Sequence, residues 1–442
     1  MFAGDDVSMF LRPADKEKSF LVTKDDPAVF ALPLPPGHGG ARRNLISEWS
    51  QIACDDEDSL MLPPPSPKDL VKVFLRVKPR TSDESHHYSQ SSQQDANSTA
   101  GSEIATDLVT LESNHQLAIT APNNSTAHKN SASGCGKMTH RFTFTRIFPS
   151  TTRQTDVFEE IVKPRLKEFL EGSNQLLFAY GATSSGKTYT IQGDHSNPGV
   201  LPRTLDVLFN SVKSQYVCPD ELNIKPSGYN RVGALVPRDK EKTLAEKRAI
   251  FELEKALVEE VGNDDSTSSR CQDSGVIPLD DLPLHYAVWI SFAEVYNENI
   301  YDLLESIPDA KQKGDRPRRT PLKIADDRGG HAYIKGLKEV AVSSADEAYR
   351  LLRIGQQNLQ FATTRLNHNS SRSHCIFSIK LVRVADIDQP TSARVSMLSF
   401  CDLAGSERIK KTSTTGERQK ETGKCYYIFD KLAKVIKNFI YI

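Results

Sequence analysis

Apolar residues along this chain fall into short runs that alternate with segments of helical spacing. Residues 71–79 are predicted as the first core strand, residues 174–180 form a short apolar strand, and residues 141–148 alternate with the period of two that is typical of a strand. Between these runs, the apolar residues of 157–170 recur at helical spacing. Strands that alternate with helices predict an α/β three-layer domain with a central, mostly parallel sheet.

The same alternation continues through the second half of the chain. Residues 202–212 and 345–353 are predicted as helices, because their apolar positions follow helical spacing. Apolar runs at 286–296, 375–384 and 395–401 are predicted as further strands of the sheet. Two shorter runs, 108–111 and 116–119, predict a small hairpin.

Two polar segments interrupt this pattern and suggest the domain organisation. Residues 1–68 are polar and proline-rich without sustained periodicity, which predicts a disordered N-terminal extension. Residues 213–284 are rich in charge and far too long for an ordinary connection, so they are predicted to be an insertion. Within the insertion, residues 240–261 have helical composition.

Composition narrows the class of protein. A net charge of -1 over 442 residues provides no global basic field for nucleic acid. The seven cysteines include no C-x-x-C pair, which is typical of a reducing compartment. We expect no signal peptide and no membrane span, because the N-terminus lacks a basic region followed by a long apolar stretch.

Three short motifs carry the candidate chemistry. Residues 181–188 have the G-x-x-x-x-G-K-T pattern of a P-loop, between a predicted strand and a predicted helix as that motif requires. Residues 367–374 read Asn-His-Asn-Ser-Ser-Arg-Ser-His, and residues 402–408 read Asp-Leu-Ala-Gly-Ser-Glu-Arg after an apolar run. A P-loop with two later loops that could touch the γ-phosphate predicts a protein able to sense whether this phosphate is present.

The residue types of the P-loop suit a nucleoside triphosphate with magnesium. Gly181 and Gly186 let the backbone approach phosphate, and Lys187 supplies a cation to the β- and γ-phosphates. The hydroxyl of Thr188 suits Mg²⁺, and Asp402 is the candidate carboxylate that holds this metal through water. The predicted nucleotide-binding residues of the loop are Gly181, Ala182, Thr183, Ser184, Ser185, Gly186, Lys187 and Thr188. The chain contains no Asn-Lys pair, which favours ATP and weighs against a GTPase.

The three motifs, in this order and with Tyr180 directly before the P-loop, resemble the kinesin motor domain. The resemblance covers residues 69–423 and predicts a kinesin-like P-loop NTPase. The long insertion and the segments 199–209 and 288–298 resemble the mitotic kinesin-like group that acts in cytokinesis, most of all its vesicle-binding and phosphoprotein branch. The resemblance implies an ATPase whose activity is coupled to microtubule binding and movement, in the cytoplasm and on the spindle.

The resemblance also implies roles for residues at the nucleotide edge. Arg76 and Pro79 are expected to pack around adenine, with Tyr189 beside the nucleotide. The family pattern R-x-R-P here reads Arg-Val-Lys-Pro, so that Lys78 departs from it while Arg76 and Pro79 remain.

Catalytic roles are implied for the two later loops. Ser371 is expected to contact Mg²⁺, and Ser370 to help position the attacking water. Gly405 is expected to give its amide to the γ-phosphate. Arg372 and Glu407 carry opposite charges and are expected to form a latch that closes around ATP.

The resemblance is expected to end at residue 423. Residues 424–442 replace the relay helix of the family, and we interpret them as a divergent end that leaves the motor fold incomplete at its C-terminus. Helical spacing of their apolar residues leaves open an amphipathic helix that mimics the lost one. The alternative function is therefore a truncated, non-motile nucleotide-binding module or regulatory isoform. A homodimer is expected only in a full-length form.

Overall fold

The computed structural model describes residues 72–79, 109–120, 139–218, 221, 223–229, 231–261, 270–279, 283–296, 299–305, 319–327, 330–365, 373–387 and 393–405. Residues 1–68 and 424–442 lie outside this set, so the expectations for them remain predictions. The chain divides into two compact units, the first formed by residues 1–75 and 83–147 and the second by residues 76–82 and 148–442.

The first unit contains a three-stranded antiparallel sheet. Its strands are β2 (Val109–Leu111), β3 (Gln116–Thr120) and β4 (Thr139–Thr143), with β3 in the middle. Leu117, Ile119 and Phe142 are buried in this unit. The pairing of β2 with β3 confirms the predicted hairpin.

The second unit holds most of the helices and strands. Its first complete strand is β6 (Gln175–Ala179), whereas most residues of the paired strands β1 (Phe74–Arg76) and β5 (Arg146–Phe148) belong to the first unit. The later strands are β7 (Ile224–Ser227), β8 (Arg231–Ala234), β9 (His285–Tyr296), β10 (Asn299–Asp302), β11 (Lys323–Asp326), β12 (Ala332–Lys335), β13 (Val340–Val342), β14 (His374–Val384) and β15 (Arg394–Asp402). The helices are α1 (Gln154–Val157), continued by a π-helical turn (Phe158–Val162) into α2 (Lys163–Glu171), then α3 (Lys187–Ile191), α4 (Val200–Val212), α5 (Pro237–Val261) and α6 (Ala345–Arg365).

The central sheet of the second unit has the strand order β10–β9–β14–β15–β6, and β13 also pairs with β9. The predicted α/β class is confirmed, but the prediction of a mostly parallel sheet is wrong for the described strands. Among the described strands of this sheet, β15 and β6 pair in parallel, whereas β10, β13 and β14 all run antiparallel to β9, and β15 runs antiparallel to β14. The physical reason lies in the connections. Residues 385–393 are too few for a crossover helix, so that β14 and β15 are adjacent antiparallel strands.

The parallel pair β15–β6 positions the candidate site. Its register places Asp402 opposite Ala179, so that the end of β15 lies beside the strand end from which the P-loop departs. Elsewhere on the sheet, α6 packs closely on β9. A Cβ added at Gly355 would lie 2.1 Å from a ring carbon of Phe292, so the close contact requires glycine at this position.

The insertion folds as a β-hairpin of β7 and β8 followed by α5, which confirms the predicted helix within it. The segment after α5 is anchored by Arg270. Its guanidinium forms ion pairs with Asp206 of α4 at 2.6 Å and with Asp346 of α6 at 2.9 Å. Among the described residues, no helix combines the length and the apolar character needed to cross a membrane.

Candidate nucleotide-binding site

The P-loop connects β6 to α3, the strand–loop–helix context that the sequence predicts. Ser184 and Gly186 have positive φ angles of 63° and 96°, a conformation in which successive backbone amides form a concave, anion-binding surface. Gly186 is the residue directly before α3, and its φ favours glycine. The Lys187 ammonium donates to the carbonyl oxygens of Gly181 at 3.0 Å and Ala182 at 2.8 Å, so this cation lies across its own loop.

Asp402 and Thr188 meet beside this loop. The Thr188 hydroxyl donates to Oδ2 of Asp402 at 2.5 Å. The other carboxylate oxygen, Oδ1, is buried and has no hydrogen-bond partner among the described residues. Burial raises the pKa of Asp402, and the Thr188 hydroxyl and the Lys187 charge partly offset this effect.

The donor set fits a magnesium ion. Mg²⁺ prefers oxygen ligands and usually retains several waters, and this site offers one hydroxyl and one carboxylate with an unpartnered oxygen. A cation here would also offset the cost of burying that carboxylate. Thr188 and Asp402 are therefore the described residues that would hold the metal.

The nucleotide edge is organised by Arg76. Its guanidinium donates to Oε1 of Gln154 at 2.8 Å and to the hydroxyl of Thr190 at 3.0 Å. It also lies 5.4 Å from the centre of the Tyr189 ring. Burial lowers the pKa of Arg76, and Tyr189 partly opposes this shift. The structure thus brings Arg76 and Tyr189 together, whereas Pro79 is exposed.

Gln154 is a further residue of the nucleotide edge that the sequence motifs do not indicate. Its amide donates to the backbone carbonyl of Tyr189 at 2.6 Å while its oxygen accepts from Arg76, so this buried side chain joins the two predicted residues. The sequence offered no signal for this role, because a glutamine at the start of an amphipathic helix is usually solvated.

The backbone before Gly405 is held at two consecutive amides. The Leu403 amide donates to the Ala179 carbonyl at 3.3 Å, and the Ala404 amide donates to Nδ1 of His374 at 3.0 Å. Burial lowers the pKa of His374 to about 4, so that its ring is neutral at physiological pH and Nδ1 accepts a hydrogen bond. Gly405 therefore follows a fixed backbone segment.

The remaining predicted catalytic residues lie outside the described part of the chain. They are Ser370, Ser371, Arg372 and Glu407. Their expected roles at the metal, the water and the latch remain predictions.

Comparison with known proteins places the chain in a family. The family model "Kinesin motor domain" matches residues 76–440. The match runs past residue 423, where the resemblance in sequence motifs is expected to end.

Several relatives agree with that match. Kinesin-like protein KIF20A of Bos taurus is 36% identical over 419 residues, covering 86% of this chain and 44% of the relative. Kinesin-like protein KIF20B of Mus musculus is 32% identical, covering 93% of this chain and 22% of the relative. Kinesin-like protein subito of Drosophila melanogaster is 36% identical, covering 64% of this chain and 43% of the relative. The chain thus spans less than half the length of these relatives.

Solved structures show the same fold. One described as "kinesin 6" has a TM-score of 0.55 and 25% identity, and the alignment covers 84% of this chain and 90% of that one. Another, of a fast kinesin, has a TM-score of 0.54 and 23% identity, which shows the fold alone. The predicted resemblance is confirmed: the chain belongs to the kinesin motor domain family, whose members are P-loop ATPases.

Proposed function

We propose that this chain binds Mg-ATP between the P-loop and Asp402 and hydrolyses it, coupled to microtubule binding and movement in mitosis or cytokinesis. The observation that carries the proposal is the contact between Thr188 and Asp402, beside the loop that Lys187 crosses. It brings together a cation for the phosphates and two oxygen side chains for the metal.

The proposed binding step follows from the positions of these groups. Incoming phosphate oxygens replace the carbonyls of Gly181 and Ala182 as acceptors for the Lys187 ammonium. The amides around Ser184 and Gly186 face the same anion. Thr188, Asp402 and the predicted ligand Ser371 would hold magnesium, which would supply positive charge to neutralise the phosphates.

The proposed hydrolysis step requires positioning and charge stabilisation, because phosphoryl transfer involves little covalent chemistry for the protein. Ser370 orients the attacking water, and the amide of Gly405 donates to the γ-phosphate. Arg372 and Glu407 close the two loops around the nucleotide.

The preference for adenine rests on two features. The chain has no Asn-Lys pair of the kind that reads guanine in GTPases. Arg76 is fixed by Gln154 and Thr190 beside Tyr189, which supports a flat, partly apolar surface for a base. Pro79 would complete that surface.

Membership of the kinesin family supports microtubules as the partner and the cytoskeleton as the location. The similarity to kinesin-like relatives of the KIF20 and subito type supports the finer assignment to the spindle and to cell division. A homodimer of a full-length form belongs to the same proposal.

The test is phosphate release from Mg-ATP by the purified chain, with and without stabilised microtubules. We expect hydrolysis that increases with microtubule concentration and is abolished by Lys187→Ala. Hydrolysis that microtubules leave unchanged would instead support the non-motile nucleotide-binding module. A wild-type chain without nucleotide binding would overturn both readings.

A further inference from the structure

The last two residues of the motif at 367–374, Ser373 and His374, have no role in the proposed function. Both are polar, and both are buried, with 4% and 6% of their surface exposed. Burial of a polar side chain costs free energy unless a hydrogen bond compensates for it. The hydrogen-bond partners of Ser373 and His374 therefore indicate the roles of these two side chains.

His374 holds the backbone that joins two candidate site residues. Its Nδ1 accepts the amide of Ala404 at 3.0 Å, and Ala404 lies between Asp402 and Gly405 in the sequence. The neutral ring has a lone pair on Nδ1 for this bond. Without that acceptor, the buried amide of Ala404 would have to rotate towards another partner, which would change the backbone dihedral angles that set the position of the Gly405 amide.

Ser373 fixes the strand end that carries His374. Its hydroxyl donates to Oε1 of Glu294 at 2.6 Å. Glu294 is 2% exposed and forms an ion pair with Arg319, whose guanidinium lies 4.3 Å from the centre of the Tyr301 ring. Such a compensated buried carboxylate is a rigid acceptor, because both of its oxygens are engaged.

We propose that His374 is a positioning residue for the backbone of residues 402–405, and that Glu294 and Arg319 hold His374 in place through Ser373. The inference rests on the proposed function, since it concerns how Asp402 and Gly405 are presented to the γ-phosphate and its metal. ADP lacks that phosphate, so the arrangement affects ATP recognition more than ADP recognition.

The test compares binding of fluorescent ADP with binding of a non-hydrolysable ATP analogue, both with Mg²⁺. His374→Leu removes the acceptor, whereas His374→Asn offers a carbonyl oxygen near the position of Nδ1. We expect His374→Leu to weaken binding of the ATP analogue about tenfold, the effect of one lost hydrogen bond to a buried donor, and to change ADP binding less than about twofold. His374→Asn should retain the wild-type ratio of the two affinities.

A second pair of variants keeps the test informative if His374→Leu does not fold. Ser373→Ala removes the bond to Glu294, and Ser378→Ala, within the strand that Ser373 directly precedes, is its matched control. Ser378 is also buried, and its hydroxyl lies 2.8 Å from that of Ser399, away from the site. Ser373→Ala should lower the ratio of ATP-analogue affinity to ADP affinity about threefold, and Ser378→Ala should leave this ratio unchanged.

An unchanged ratio in His374→Leu, or equal ratios in Ser373→Ala and Ser378→Ala, would overturn the inference while leaving the proposed ATP site intact. Equal weakening of ADP and ATP-analogue binding in both His374 variants would also overturn it, because it would indicate a general structural role. A wild-type chain that binds neither nucleotide would overturn the proposed function and this inference with it.

Discussion

The hydroxyl of Thr188 donates a hydrogen bond of 2.5 Å to the carboxylate of Asp402, although 214 positions separate the two residues in the sequence. The contact arises because β15 pairs in parallel with β6, which ends where the P-loop begins. Two motifs that are remote in sequence thus form one site.

Removing either side chain of this contact should weaken the binding of Mg²⁺ at the nucleotide site. We expect Thr188→Val and Asp402→Asn each to reduce the apparent Mg²⁺ affinity about 10- to 100-fold, because each removes an oxygen that would hold the ion or its water. A titration of fluorescent ATP across Mg²⁺ concentrations measures this effect. Thr188→Ser, which retains the hydroxyl, is the control, and a loss of the same size in that variant would contradict the assignment.

The guanidinium of Arg76 should contribute to base preference. Arg76→Lys keeps the charge but cannot bond Gln154 and Thr190 while lying over Tyr189, because an ammonium lacks the planar fork. We expect the preference for ATP over GTP to fall about threefold, an effect smaller than one hydrogen bond. Competition of each nucleotide against fluorescent ADP measures the preference. Lys78→Arg, at the exposed neighbouring position, should leave it unchanged.

Much of this site follows from the sequence, and the remainder depends on tertiary contacts. The P-loop was predicted with its strand and helix, because local pattern alone specifies that motif. Helix α6 was predicted over 345–353 but extends to Arg365. Its later turns include Asn358, a poor helix former that is buried and donates to the Leu303 carbonyl at 2.8 Å. A partner of this kind cannot be read from local sequence.

Glu294 in β9 is a second residue whose contacts cannot be inferred from the local sequence. It is the one acidic residue in the mainly apolar strand β9, which is a visible signal of a special role. The sequence did not indicate its partners, because Arg319 and Ser373 reach it from different segments of the chain. The roles of such residues emerge only from the folded chain.

Anchoring of the insertion should contribute strongly to stability. The Arg270–Asp206 pair has side chains only 9% and 4% exposed, so Arg270→Ala leaves a buried carboxylate without its charge partner. We expect a loss of about 3 kcal/mol in the free energy of unfolding, measured by urea denaturation. The matched control is Arg153→Ala in the exposed pair with Asp156, which should cost far less because solvent screens that pair. Equal losses in the two variants would contradict this anchoring role.

Acidification should destabilise the protein through His374. Its pKa is lowered in the folded state to about 4, below the ordinary value of 6.5, so the unfolded chain binds the proton more tightly. The stability contributed by the neutral ring is complete above pH 6.5 and is lost as the pH falls towards 4, by up to about 3 kcal/mol. Urea denaturation at pH 7 and pH 5 should show this loss, and His374→Asn, which does not titrate, should show a smaller one. Identical pH dependence in the two proteins would contradict this origin.

The most direct test of the account is a titration of the purified chain with fluorescent ATP in the presence of Mg²⁺, run beside Lys187→Ala with GTP as competitor. We expect saturable binding by the wild type, no measurable binding by Lys187→Ala, and weaker competition by GTP than by ATP. Binding that survives the loss of Lys187 would contradict the proposed phosphate site, and equal competition by GTP would contradict the adenine assignment.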